Sequence, residues 1–320
     1  MIGRPRPNVP PPRLWKKMPL NILPVCDVTG ILCDSSGVFI CKYIAIKSLG
    51  GGTFGHVDLF TRETEEQTDN VAIKRPKFPQ VKLLFEAFFQ SKLHNDLIEY
   101  GLSSCVPKVY DIFTYQTTGD VWFSMEAFEP LLVSQWCVQQ LPNTKIFILL
   151  LLQISLILEV FETILHIDHR DLKINNMIVV NEPIKLEIVW KNSDKTIEFP
   201  FRLVFVDFGF ACTESIDIKR NGLPPLEPCP KEGRNIFQVL VSLWNIQSLR
   251  TALNDTWGSW IRKRISSVIP NFPCISLAES NKTLDWMYSL TDDKEFCAPL
   301  CAPKKIIDEC MAILERDGIL

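Results

Sequence analysis

The stretch Ile146–Leu158, IFILLLLQISLIL, is the strongest constraint on how this chain can fold. A helix that crosses a bilayer needs about 20 consecutive apolar residues. This run is shorter, carries Gln153 and Ser155, and stops at Glu159. It reads as part of a helix over 143–165 buried in a protein core, and no transmembrane segment is expected. Enclosing such a helix takes a long chain, and 320 residues suit one bilobal domain. Hydrophobic residues at 47% and charged residues at 22% are ordinary globular values, so most of the chain should fold. A net charge of -3 argues against a generic nucleic-acid binder, and no specific nucleic-acid binding is expected.

The start of the chain is biased. Arg4, Arg6, Arg13, Lys16 and Lys17 precede the first acid, Asp27, and prolines recur through residue 24. Residues 1–37 read as a flexible Pro/Arg-rich arm. No secretory signal is visible, because the start lacks a continuous apolar segment. The 11 cysteines therefore suggest a reducing compartment, most of them acting as small buried hydrophobes. A zinc site at Cys297, Cys301 and Cys310 would lack a fourth good ligand, since no histidine follows His169. The expected location is intracellular, in cytoplasm or nucleus.

The first third predicts strands over 38–49, 57–61, 70–74, 109–116 and 121–125. A helix is predicted over 81–98, with Glu86, Phe89, Leu93 and Leu97 on one face. The remainder reads as mainly helical. Short strands flank 169–176, a hairpin occupies 184–206, and helices are predicted at 235–244, 251–267, 276–290 and 303–316.

Four motifs carry chemistry. Gly50-Gly51-Gly52-Thr53-Phe54-Gly55-His56-Val57 fits G-x-G-x-x-G-x-V between two predicted strands. Glycines let backbone amides approach a polyphosphate, although alone they could form an ordinary hairpin turn. In Val71-Ala72-Ile73-Lys74 the lysine would point into a cleft and hold the α/β-phosphates. His169-Arg170-Asp171-Leu172-Lys173-Ile174-Asn175-Asn176 and Asp207-Phe208-Gly209 are polar clusters beside apolar strands. Such clusters are costly without partners. Phosphoryl transfer needs in-line positioning and charge neutralisation. Asp171 would accept the proton of an acceptor hydroxyl, Lys173 would steady the γ-phosphate, and Asn176 with Asp207 would bind Mg2+.

In type and order these motifs resemble the eukaryotic protein-kinase family over roughly residues 43–245. The resemblance implies an α+β, protein-kinase-like bilobal fold. A small antiparallel β-rich lobe with one helix (38–126) would precede a larger, mainly helical lobe (127–320). It also implies ATP and Mg2+ as cofactors and protein substrates as partners. Glu86 would pair with Lys74, and Met125-Glu126-Ala127-Phe128 resembles the hinge that grips adenine. Nucleotide contacts would come from Gly50, Gly51, Gly52, Thr53, Phe54, Gly55 and Val57, and from Ala72, Lys74, Glu86, Met125, Glu126 and Phe128. Lys173 resembles the lysine of Ser/Thr kinases.

Several features depart from that family. Gln90 stands where an apolar residue is usual, and no A-P-E follows Asp207-Phe208-Gly209. Asn235 replaces an aspartate that ties down the catalytic loop. The short segment resembles haspin-like kinases and kinases of large DNA viruses; a virus-encoded enzyme would act in the host cell. Thr213 and Ser215 are the only hydroxyls between Gly209 and Gly233, so Arg170 is expected to pair with a fixed carboxylate or a backbone carbonyl rather than a phosphate. Two rival readings are a non-catalytic kinase-like scaffold and a small-molecule kinase sharing the fold.

Overall fold

The computed structural model describes residues 23–318, except 53, 80, 82, 130, 141–142, 214–228, 247–249, 251–254 and 270–286. Its first part contains strands β1 (Val25–Cys26), β2 (Ile31–Cys33), β3 (Phe39–Gly51), β4 (Gly55–Glu63) and β5 (Thr68–Pro76). Helix α1 (Leu84–Asp96) follows, then β6 (Val109–Tyr115) and β7 (Val121–Glu126).

These strands form a closed barrel in the order β1-β2-β3-β4-β5-β7-β6. Closure comes from a parallel pairing of β1 with β6, in which Val25 faces Thr114 and Cys26 faces Tyr115. This overturns the expected bilobal kinase fold, whose first part was to be a small antiparallel sheet. The closing strands, at 25–26 and 31–33, come from residues that the sequence assigned to the flexible arm. The physical cause is burial. Cys26 and Leu32 pack with Cys41, Tyr43, Val71, Ile73 and Phe113 inside the barrel. Burying a large side chain such as Leu32 contributes roughly 1.5–3 kcal/mol towards the cost of ordering these short strands.

Helix α1 packs on β6 and β7 through Ala87, while its predicted face turns into the main core. Glu86, Phe89 and Leu93 are buried, as is Leu97 in the following 3-10 turn. Gln90 is buried too; its amide donates to Pro107 O at 2.9 Å and lies 3.5 Å from Met125 Sδ. A hydrogen-bonded amide thus takes the place of an apolar contact.

Beyond the barrel lie α2 (Val133–Gln140) and α3 (Thr144–Glu159). Asn143 caps α3 by accepting from Lys145 N and Ile146 N. One helical stretch, Lys145–Ile164, is long and apolar enough by length and composition to cross a membrane, and 83% of its most apolar window is buried inside the protein. Gln153 explains the polar interruption. It accepts from Leu203 N and donates to Phe201 O, tying α3 to a strand that leads into the site.

Next come β8 (Ile167–Asp168), β9 (Met177–Val180), the hairpin β10 (Ile184–Trp190) with β11 (Ser193–Phe199), β12 (Arg202–Phe205) and β13 (Cys212–Thr213). β12 pairs with β9 and β13 with β8, both antiparallel. Helices α4 (Arg234–Trp244), α5 (Asp255–Val268) and α6 (Pro303–Arg316) complete the described elements, with α6 packed along α3. Most of the helix predicted at 276–290 lies outside the described residues; 287–292 are helical.

Cysteine usage differs from expectation at one pair. Cys212 and Cys229 form a disulfide, with Cα atoms 6.5 Å apart. Cys26, Cys41, Cys105, Cys137, Cys301 and Cys310 are free and buried.

Candidate active site

Lys74 ends the buried run Val71–Lys74 on β5. Its Nζ lies 2.6 Å from Glu86 Oε1 on α1 and 2.8 Å from Asp207 Oδ1 after β12. A buried ammonium persists only with such partners. Burial alone would lower the lysine pKa, but the charges of Glu86 and Asp207 prevail and hold it above its ordinary value. Asp207 shows the reciprocal balance. Burial would raise it, yet Lys74 keeps it below the ordinary carboxylate range and ionised.

Asp207 adopts a left-handed backbone (φ 66°), unusual for a residue with a side chain. The next residue holds it there. Phe208 is fully buried, packed against Phe89 of α1 and the ring of His169. Burial pushes the His169 imidazole below its ordinary value, so the ring is neutral. A neutral ring satisfies its 3.1 Å contact with Val206 O by carrying its hydrogen on Nε2.

The loop 169–176 is pinned from behind. Asp168, fully buried, accepts from Arg170 N and Lys231 N and pairs with Arg234. Three polar side chains on one face of α4 bind its backbone directly. Asn235 Oδ1 accepts from Arg170 N, Gln238 Oε1 from Leu172 N, and Ser242 Oγ from Ile174 N, each at 3.1–3.2 Å. Gln238 also donates to Arg170 O at 2.8 Å. The spacing 235, 238, 242 follows the helical repeat. Gaps in the apolar pattern of 235–244 marked these positions in the sequence.

That scaffold presents Asp171. Its carboxylate lies 3.1 Å from Lys173 Nζ through each oxygen, and Asn176 Nδ2 donates to Oδ2 at 2.9 Å and to Asp171 O at 2.8 Å. Tyr288 OH donates to Asp171 Oδ1 and lies 3.3 Å from Lys173 Nζ. Arg170 meets the carboxylate of Asp292 at 2.8 Å. A cavity of about 240 Å³ opens here, lined by Arg170, Asp171, Lys173, Phe210, Tyr288 and Asp292. Tyr288 and Asp292 carried no sequence signal, because they lie far along the chain from any motif.

The glycine segment forms the β3–β4 hairpin, where Gly52 N donates to Gly55 O at 2.8 Å. Thr53 lies outside the described residues. A Cβ on Gly52 would sit 3.9 Å from Asp207 Oδ2, and one on Gly55 would collide with Arg75 O at 2.8 Å. The hairpin therefore lies beside Asp207. Phe54 reaches the same region, its ring 5.0 Å from that of Phe210. Gly50 and Gly51 pair with Val57 and His56, and Val57 pairs with Lys74. Ala72 faces Met125 across β5 and β7, and Glu126 faces Val71. Phe128 lies against the Arg202 guanidinium, its ring centroid 5.7 Å away.

Among the described residues no group of three or more His, Cys, Asp or Glu could hold a metal ion by itself. Mg2+ does not need one, since it is held by one or two protein ligands together with substrate phosphates and water. Asp207 is ionised and partly exposed. Asn176 spends its amide nitrogen on Asp171, which makes its amide oxygen the atom suited to a cation. These two residues fit that requirement. No protein-family model matches the chain, and no curated protein matches it.

Proposed function

We propose that the chain is an ATP-dependent protein kinase, transferring the γ-phosphoryl group of Mg-ATP to Ser or Thr hydroxyls of protein substrates. One observation carries this reading: Lys74 is gripped between Glu86 at 2.6 Å and Asp207 at 2.8 Å. Three charged residues from separate elements are held together largely out of water. Buried charge clusters of this kind are costly to assemble and gather preferentially at functional sites. A polyphosphate beside Lys74, with a cation on Asp207, would use both charges.

Each residue then has a task. Lys74 holds the α/β-phosphates, and Glu86 fixes its direction. Backbone amides of the glycine hairpin cover the phosphates. Asp207 and Asn176 hold Mg2+, which supplies charge neutralisation when bound. Asp171 takes the acceptor proton, and Lys173 offsets the negative charge that gathers beside it. Arg170, joined to Asp292, needs no phosphate to hold its place.

The test measures Mg-ATP-dependent phosphate transfer to a panel of proteins and a panel of small alcohols. Asp171→Asn is the control. Transfer to protein hydroxyls, lost in the variant, is the expected result. No transfer by the wild type, or equal transfer by the variant, would overturn the reading. Transfer to alcohols alone would replace it with a small-molecule kinase.

A further inference from the structure

We propose that Tyr288 is an intramolecular phosphate acceptor, so that the chain modifies itself at this phenol before it acts on other hydroxyls. The inference rests on the kinase reading and extends it to a modification site. An acceptor must place its hydroxyl within hydrogen-bond reach of the general base. Tyr288 OH donates its hydrogen to Asp171 Oδ1. The same oxygen lies 3.3 Å from Lys173 Nζ, the cation assigned to the γ-phosphate. The Tyr288 ring also sits beneath that ammonium, 5.8 Å from its centroid. Base, acceptor and phosphate-steadying cation are therefore already assembled within one chain.

The surroundings fit this role. Tyr288 lines the cavity of about 240 Å³ shared with Arg170, Asp171, Lys173, Phe210 and Asp292. The helical turn that carries it is fastened to the loop, because Gln238 Nε2 donates to Thr291 Oγ1 at 3.1 Å and Arg170 pairs with Asp292. An acceptor delivered by the fold needs no peptide groove, so its being a phenol does not bear on the Ser/Thr preference for other substrates.

The chemistry balances with Mg-ATP as the co-reactant. The Tyr288 O–H bond breaks and its proton passes to Asp171. The phenolic oxygen bonds to the γ-phosphorus, and the bond from that phosphorus to the β,γ-bridging oxygen breaks. ADP leaves with that electron pair, and nothing is oxidised or reduced. The phosphotyrosine carries about two negative charges, which Asp171 repels once it has passed its proton to solvent.

The full chain is incubated with γ-labelled Mg-ATP, with a protein acceptor in parallel, and phosphorylated peptides are mapped by mass spectrometry. Phosphotyrosine at 288 is expected, forming at a rate per molecule that does not change with protein concentration. Asp171→Asn and Tyr288→Phe should each lose this signal. The mapping on the wild type does not depend on either variant folding. Phosphate on the added acceptor with none on Tyr288 overturns the inference and leaves the kinase reading standing. A rate that grows with protein concentration overturns it as well, since transfer would then pass between molecules. No transfer to any acceptor removes both readings.

Discussion

Asn235 Nδ2 donates to Glu162 Oε1 at 2.9 Å while its Oδ1 accepts from Arg170 N at 3.2 Å. The loop carrying Asp171 is therefore tied down by a neutral amide, and the carboxyl group stands one step behind it, buried. Both ends of the amide are used, in a direction that a carboxylate could not reproduce. Asn235→Asp would lose the donor to Glu162 and set two carboxyls together. We predict a loss of about 1–3 kcal/mol, measured by denaturant unfolding. Adding Glu162→Gln should restore most of it, since the new amide can donate to the introduced carboxylate. A double variant no more stable than Asn235→Asp would refute this coupling.

Glu162 also sets a pH dependence. Burial, with the Asp168 charge adding to it, raises its carboxyl well above the ordinary value. From the ordinary glutamate pKa upward, the folded state keeps a proton that the unfolded state has released. Stability from this group is complete at acid pH and falls as pH rises through that window. Glu162→Gln mimics the protonated form and keeps an acceptor for Asn235. Its melting temperature should exceed that of the wild type at neutral pH by at least about 2 °C, with the gap narrowing towards acid. Parallel curves at all pH values would contradict the assignment.

The barrel can be probed at its first strands. Leu32 is fully buried, whereas Val28 in the β1–β2 turn is 68% exposed. Leu32→Ala should cost about 2–5 kcal/mol, and Val28→Ala should stay within about 0.5 kcal/mol. Equal and small effects would mean that residues 25–33 do not contribute to the core.

Nucleotide binding tests the lysine cluster. Asp207→Ala removes the ionised group assigned to Mg2+ and one of the two carboxylates on Lys74. Calorimetric titration with Mg-ATP should show binding weakened by at least about tenfold, the equivalent of about 1.4 kcal/mol. Unchanged affinity would show that Asp207 is not the metal ligand.

Much of the candidate site was legible because each motif is contiguous. Asp171, Lys173 and Asn176 occupy one loop, and Lys74 ends a short apolar strand. Helical spacing put Glu86 on one face with Phe89 and Leu93, but its pairing with Lys74, met at 2.6 Å, was implied only by the resemblance. Tyr288 and Asp292 were invisible because their contacts with Asp171 and Arg170 span more than a hundred residues. The fold was misread for a related reason. β1 is only two residues long, and its parallel partner β6 lies far along the chain. A strand so short shows no alternation, and the proline-rich stretch before it favoured an arm.

Closure of the barrel has a consequence for recognition. β1 is held by β2 on one side and β6 on the other, so both edges of this two-residue strand are occupied. A peptide strand can therefore pair with β1 only by displacing one of these neighbours.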